Sequence, residues 1–244
     1  MKLFDVYPLY DVTPTRAEDV YVYDAHGTKY LDLYGGHAVI SIGHSQSDFV
    51  SNIKEQLDQI AFYSNAVKNP LQGQLANAIA EHSCLYDYQL FLCSTGAEAI
   101  ENALKLASFH TQKKRVIAFE NAFHGRTSAA VSVTDNPSIN APLNAQHEVT
   151  FLPFNDHILL EKELKKGDVC AVIFEAIQGV GGLDQPDEGF IYAMESLCKK
   201  FDACLIADEV QSGFARTGTF FAFQKYRISP HIITMAKGMG NGFP

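Results

Sequence analysis

The chain has 244 residues, 47% of them apolar and 19% charged, with a formal net charge of −9. That length buries a substantial core, and that composition excludes disordered and collagen-like chains. The acidic balance excludes a general phosphate-backbone binder, and no stretch reaches the roughly 18 apolar residues of a membrane span, so neither nucleic acid nor membrane is an expected partner.

The first eight residues, Met1 to Pro8, carry an early acid and a proline and no apolar h-region. They do not read as a secretory signal. Five cysteines occur, Cys84, Cys93, Cys170, Cys198 and Cys204, with no C-x-x-C spacing. Cys93, Cys170 and Cys204 sit in apolar runs and read as small buried hydrophobes. The pattern suits a reducing cytoplasm better than a disulfide scaffold or a zinc site, and no other metal-ligand spacing occurs.

Residues 1–45 are rich in tyrosine and turn formers and read as an arm or part of a second domain; residues 46–244 read as the large domain. Helices are expected near 47–60 and 71–82. A strand is expected over 88–93, then a helix over 96–110, where Ile100, Ala103, Leu104 and Ala107 share one face. Strands follow at 115–119, 129–134 and 148–153, a helix over 158–166, and a strand over 169–175. A helix over 190–201 ends in Lys199-Lys200, which suits its C-terminal dipole. Strands at 203–208 and 232–237 complete seven. Most are continuous apolar runs, the mark of strands buried on both faces, so the class is α/β with a doubly wound, mainly parallel sheet between helices. The last strand stands close to Pro244, so the natural protein is expected to continue.

In such sheets ligands sit beyond the carboxyl ends of the strands. Those ends carry Glu175 followed by Gln178, Asp208 followed by Gln211, and Lys237. Thr95-x-x-Glu98 is a capping box, and Gly96-Ala97 leaves N–H groups open at a positive helix end, a seat for a small phosphate. No G-x-x-x-x-G-K and no complete dinucleotide fingerprint occurs, which argues against a nucleotide-binding oxidoreductase. A lysine ending an apolar strand is a desolvated amine and a potential nucleophile; a buried aspartate needs a cationic partner. Pyridoxal phosphate asks for this combination: a lysine, a carboxylate for the ring nitrogen, a phosphate seat and an apolar sandwich.

The segments Ser94-Thr95-Gly96-Ala97-Glu98-Ala99, Phe123-His124-Gly125-Arg126-Thr127, Glu175-Ala176-Ile177-Gln178-Gly179, Asp208-Glu209-Val210-Gln211-Ser212-Gly213 and Ala236-Lys237-Gly238 resemble the class III aminotransferases of the fold type I pyridoxal-phosphate enzymes. The likeness runs through the chain and is closest to the branch using acetylornithine and succinylornithine. It implies a pyridoxal-phosphate-binding large domain and a small domain completed beyond Pro244. It also implies a homodimer with shared active sites, and transfer of an amino group between an N-acylornithine and 2-oxoglutarate in arginine biosynthesis. By that resemblance Lys237 forms the Schiff base and moves the proton, and Asp208 pairs with the pyridine nitrogen. Gln211 reaches the phenolic oxygen, and Gly96 and Ala97 bind phosphate. Phe123 and Val210 sandwich the ring, Arg126 holds the substrate carboxylate, and Glu175 and Gln178 support the site from behind. His124, His37 and His44 read as packing or hydrogen-bonding residues. Gly36 stands where ornithine δ-aminotransferases carry a tyrosine, which leaves room for an acyl group. Val180 stands where the family commonly has a glutamate that helps switch substrates, and Ala176 replaces a proline. Other class III activities on ornithine, 4-aminobutyrate or glutamate semialdehyde, and a non-catalytic fragment, are the alternatives.

Overall fold

The protein is described from a computed structural model that places residues 1–243. The chain forms two compact units, Met1–Lys68 and Asn69–Pro244.

In the first unit, β1 (Pro14–Glu18), β2 (Tyr21–Asp24) and β3 (Lys29–Leu31) form an antiparallel meander in that order. Asp24 closes its second turn, accepting the N–H groups of His26 and Thr28, each at 2.8 Å, and the Tyr30 hydroxyl at 2.9 Å. The tyrosines also meet cations: Arg16 lies 3.8 Å over the Tyr23 ring and Lys29 3.6 Å over Tyr21. A single turn, α1 (Gly35–Ala38), is broken by left-handed Gly36 and His37. α2 (Ser47–Gln59) starts where the Gln46 side chain accepts the Phe49 N–H.

The second unit opens with α3 (Pro70–Ser83), which has proline in its first turn and Asn69 as its cap. α4 (Gly96–Thr111) carries the expected capping box in full: Thr95 Oγ1 accepts the Glu98 N–H at 3.1 Å, and the Glu98 carboxylate accepts the Thr95 N–H at 3.0 Å. Then come β4 (Arg115–Phe119), α5 (Ser128–Ser132), β5 (Val149–Leu152), α6 (His157–Leu164), β6 (Val169–Glu175), α7 (Glu188–Lys200), β7 (Cys204–Asp208) and β8 (Ile232–Thr234). The five strands form one parallel sheet in the order β5-β4-β6-β7-β8.

Strand alternation divides the core between the two faces. Ile117, Phe119, Val172, Phe174, Leu205 and Ala207 join the cluster with Leu160 and Leu164 of α6 and Phe190, Ile191 and Met194 of α7. Their neighbours Val116, Ala118, Ala171, Ile173, Cys204 and Ile206 join Ile100, Ala103, Leu104 and Ala107 of α4. Each fully buried large side chain contributes roughly 1.5–3 kcal/mol. The two covered faces explain the continuous apolar runs, since both parities of each central strand must be apolar.

Three expectations fail. The sheet has five strands among the described residues, not seven. Segment 129–134 lies mostly in α5. Its small residues allow a helix, and Glu101 of α4 caps that helix by accepting the Ala130 N–H at 3.1 Å and the Thr127 hydroxyl at 2.8 Å. Segment 88–93 has no strand assignment; Phe91 is 70% exposed, and Cys93 is exposed rather than buried. An apolar run becomes a strand only when a neighbour accepts its ladder. The third is the last strand, which ends at Thr234. The chain then turns into a 3₁₀ segment, Lys237–Met239.

Candidate active site

The parallel register brings the polar strand ends side by side: Glu175 lies opposite Asp208, and Asp208 opposite Thr234. Asp208 is 5% exposed. One of its carboxylate oxygens accepts the Val210 N–H at 3.0 Å and the Thr234 hydroxyl at 3.2 Å; the other is bonded to His124 Nδ1 at 2.7 Å. A buried carboxylate with three donors is held in one orientation.

Glu175 ties two loops to the sheet. Its oxygens accept the Phe123 N–H at 2.9 Å and the Gly179 N–H at 3.1 Å. Burial pushes its carboxyl above the ordinary glutamate range, the Asp208 charge adds to that, and His124 pulls the other way. Gln178 is buried, and its amide donates to the Glu120 carbonyl at 2.7 Å. These bonds tie Glu175 and Gln178 to the loops after β4 and β6.

The N-terminus of α4 meets the loops after β7 and β8. Gly96 is required there: a Cβ on it would stand 2.8 Å from Val210 Cγ1 and 3.3 Å from the Ala236 Cβ. The first N–H groups of α4, at Gly96 and Ala97, have no acceptor within the helix. Gly179 packs as closely on Gln211: a Cβ would fall 1.3 Å from the Gln211 Oε1. The tertiary structure therefore gathers Gly96, Val210, Gln211 and Asp208 with the Ala236-Lys237 turn. Phe123 is half-buried beside buried His124, and Arg126 is exposed further along the same segment.

Lys237 follows Ala236 in a left-handed conformation, φ 46°, uncommon for a side-chain-bearing residue. Burial lowers its amine pKa below the ordinary lysine value, against the opposing pull of Asp208 and Glu175. Burial favours the neutral, nucleophilic form of the amine, and the two carboxylates oppose it.

Two participants were not singled out by spacing. Glu209 is fully buried and accepts the Ala222 and Phe223 N–H groups, at 2.9 and 2.8 Å, and the Ser212 hydroxyl at 2.8 Å. It anchors the loop that follows Asp208. Thr134 Oγ1 accepts the His124 N–H at 2.9 Å. The signal for Glu209 was an acid next to Asp208 at the end of an apolar strand; nothing in the sequence marks Thr134. His124 has the hydrogen-bonding part expected of it. His44 bonds Asp32 at 2.7 Å, within the first unit.

Fold and strand-end cluster define a doubly wound α/β protein with a lysine, a buried aspartate and a helix N-terminus at one end of its sheet. Residues 5–244 match the aminotransferase class-III family, and the chain belongs to it. It is 40% identical over 246 residues to acetylornithine aminotransferase of Bacillus subtilis (strain 168), covering 99% of this chain and 63% of that protein. Among solved structures it resembles N-acetylornithine aminotransferase from Stenotrophomonas maltophilia K279a, with 33% identity, TM-score 0.83, and coverage of 98% of this chain and 61% of that one. It also resembles taurine:2-oxoglutarate aminotransferase from Bifidobacterium kashiwanohense in complex with PLP and glutamate, with 25% identity, TM-score 0.90, and coverage of 100% and 60%. The chain thus spans less than two thirds of the length of these relatives.

Proposed function

We propose that this chain is the cofactor-binding part of a pyridoxal-phosphate-dependent aminotransferase that moves an amino group between an N-acylornithine and 2-oxoglutarate. One observation carries the reading: a half-buried lysine just past β8 and a buried, triply hydrogen-bonded aspartate at the end of the adjacent β7 stand near the N-terminus of α4. The substrate class rests on the acetylornithine aminotransferases among its relatives.

The residues fit the cofactor. Asp208 is a buried carboxylate held in place for a cationic ring nitrogen, and the N-terminus of α4, where Gly96 seats against Val210, offers amides for a phosphate. When bound, pyridoxal phosphate supplies an electron sink for a carbanion. The protein's part is then as follows. Lys237 would provide the amine that holds the cofactor's aldehyde, and its Nζ would carry the proton. Asp208 would pair with the ring nitrogen. Gly96 and Ala97 donate N–H groups to phosphate, Phe123 and Val210 cover the ring faces, and Gln211 donates to the phenolic oxygen. Arg126 receives the substrate carboxylate. Glu175 and Gln178 hold the loops that carry Phe123 and Gly179. Lys237 and Asp208 are the catalytic residues of this scheme.

The enzyme is read as a homodimer with shared sites, working in the cytoplasm in arginine biosynthesis. Among the described residues no helix is long and apolar enough to cross a membrane.

The test is an absorbance spectrum of the protein with pyridoxal phosphate, then borohydride reduction and peptide mapping, with ornithine, N-acetylornithine, N-succinylornithine and 4-aminobutyrate added in turn. Reduced cofactor on Lys237 and a spectral change with the acylated ornithines support the proposal. A spectrum of free cofactor with no labelled lysine overturns it; a response confined to 4-aminobutyrate or free ornithine overturns the substrate class.

A further inference from the structure

We propose that Glu101 is a positioning residue for Arg126: from the second turn of α4 its carboxylate holds the backbone that carries Arg126, and so sets where the substrate's carboxylate is received. The consequence for substrate rests on the reading of Arg126 given above; the hold on the backbone does not.

Three observations converge. One oxygen of Glu101 accepts two donors from a segment 26 to 29 positions away, the Thr127 hydroxyl at 2.8 Å and the Ala130 N–H at 3.1 Å. Second, Thr127 stands at the N-cap of α5, yet its own side chain makes no capping bond. A threonine there ordinarily accepts the N–H of the second or third helical residue. Ala130 is that third residue, and its N–H goes to Glu101 instead. A local cap would fix α5 alone; a cap routed through a carboxylate of another helix ties the start of α5 to α4. Third, the residue before Arg126 is pinned to the same helix. A Cβ on Gly125 would stand 3.1 Å from the Cβ of Ala97 and 3.1 Å from that of Ala130, so only glycine fits this approach. Thr134 Oγ1 holds Gly125 from the other side, accepting its N–H at 3.2 Å and reaching its carbonyl at 3.0 Å.

Arg126 thus stands between two clamps on one helix. Ala97 and Glu101 are four positions apart and share a face of α4. Gly125 packs on the first and Thr127 bonds to the second. Ala97 is also one of the two amides assigned above to the cofactor phosphate. One rigid stretch of helix, about 6 Å long, therefore spaces the phosphate seat from the residue that takes the substrate carboxylate. Arg126 is exposed, and the aim of a long side chain begins with the place of its backbone. An error of about an ångström in such a spacing is enough to cost a large part of the gain from orientation. The substrate selected in this way is an amine that carries a carboxylate at a set distance, in preference to the same amine without one.

The test uses the whole protein without cofactor, then with it. Hydrogen exchange in the cofactor-free protein reads the hold itself. Glu101→Ala should lower protection of the Ala130 amide about fivefold, and Glu101→Gln, which keeps an acceptor oxygen, should restore most of it. With pyridoxal phosphate, absorbance titrations compare N-acetylornithine with N-acetylputrescine, the same molecule without its carboxylate. Wild type should prefer the acid, and Arg126→Met should abolish that preference. Glu101→Ala should reduce it about tenfold, with the affinities for N-acetylputrescine and for pyridoxal phosphate little changed, and Glu101→Gln should return it towards wild type. Thr127→Val, at an exposed position, removes one of the two bonds and should give part of the same loss; it decides the matter if Glu101→Ala does not fold. Unchanged protection of Ala130 in Glu101→Ala overturns the inference, as does an equal loss of both ligands, the mark of a merely structural role. A preference that Arg126→Met abolishes and Glu101→Ala leaves intact overturns this inference and leaves the reading of Arg126 standing. A preference that survives Arg126→Met overturns that reading and the consequence for substrate with it. Failure of wild type to bind cofactor overturns the aminotransferase reading, while hydrogen exchange still settles what Glu101 holds.

Discussion

The two ends of the parallel sheet both bury charge, and they handle it in opposite ways. At the amino ends, Arg115 of β4 makes a closed clasp. Its guanidinium donates to both oxygens of Asp168, at 3.0 and 2.7 Å, and to Glu163 and Thr150, at 2.9 and 2.8 Å. One cation meets two acids, and the hydrogen bonds are saturated. At the carboxyl ends Glu175, Asp208 and Glu209 crowd together, the facing lysine is tilted towards neutrality, and His124 keeps a nitrogen unpaired. The first arrangement is self-sufficient and serves stability. The second is incomplete without something cationic, which is what a binding site for a protonated ring looks like from the protein's side.

The largest effect separating the two ends is expected at Lys237. Lys237→Ala should lower turnover by about 10²–10⁴-fold or more while folding remains near wild type, measured by steady-state kinetics beside urea unfolding. Wild-type turnover in this variant would refute its role. Arg115→Met should do the reverse. It leaves Glu163 buried with only Lys166 and strips Asp168 of its bidentate partner. The expected loss is about 3 kcal/mol of unfolding free energy, at the low end of the buried-pair range because Asp168 is half-exposed. Turnover per folded molecule should hold; a fall in turnover larger than the loss of folded protein would break the division proposed here.

Glu209→Gln sharpens the boundary between holding and reacting. It keeps one acceptor and places an amide where two backbone donors converge, for a loss of about 1–2 kcal/mol and a weakened seat for the loop after Asp208. Hydrogen exchange at Ala222 and Phe223 would show it; unchanged protection there would remove Glu209 from the account.

The pH response should also divide. Arg115 holds the Asp168 carboxyl below its ordinary value; Lys166, with Arg115, does the same for Glu163. A depressed acid contributes above its unfolded pKa and loses that contribution as pH falls through the folded one. The difference in stability between wild type and Arg115→Met should therefore shrink towards acid. His124 is raised, mainly by Asp208 acting against burial. Its contribution is full below the ordinary histidine value and fades as pH rises through the raised one. The gap between wild type and His124→Asn should therefore shrink towards alkali. Denaturant titrations across pH check both, and parallel curves would mean that the two clusters are not distinct. The smallest effect is expected from Gly179→Ala, which displaces only the flexible end of Gln211. A few-fold change in the cofactor's absorbance titration, with stability unchanged, would place Gln211 at the site.

Much of this was legible in the chain. The runs at β4, β6 and β7 are apolar in both parities, because helices cover both faces, and that pattern alone identified a doubly wound sheet. Glu175, Asp208 and Lys237 stood out because charge at the end of an apolar run is costly unless used. The failures have physical causes too. Segment 129–134 is apolar and small enough for strand or helix, and Glu101, distant in sequence, decided for α5. Segment 88–93 has strand composition but found no ladder.

The sequence by itself determined what is local or periodic: the capping box of α4, the alternation that fills two cores, and the identity of the groups at the strand ends. Only the tertiary structure decided which of those groups meet. Parallel register put Glu175 beside Asp208, and Gly96 let the N-terminus of α4 approach Val210 closely. His124 and Asp208 are 84 positions apart, and no spacing rule joins them. Their bond exists because β7 and the segment after β4 end at the same edge of the sheet, where burial makes a partner obligatory.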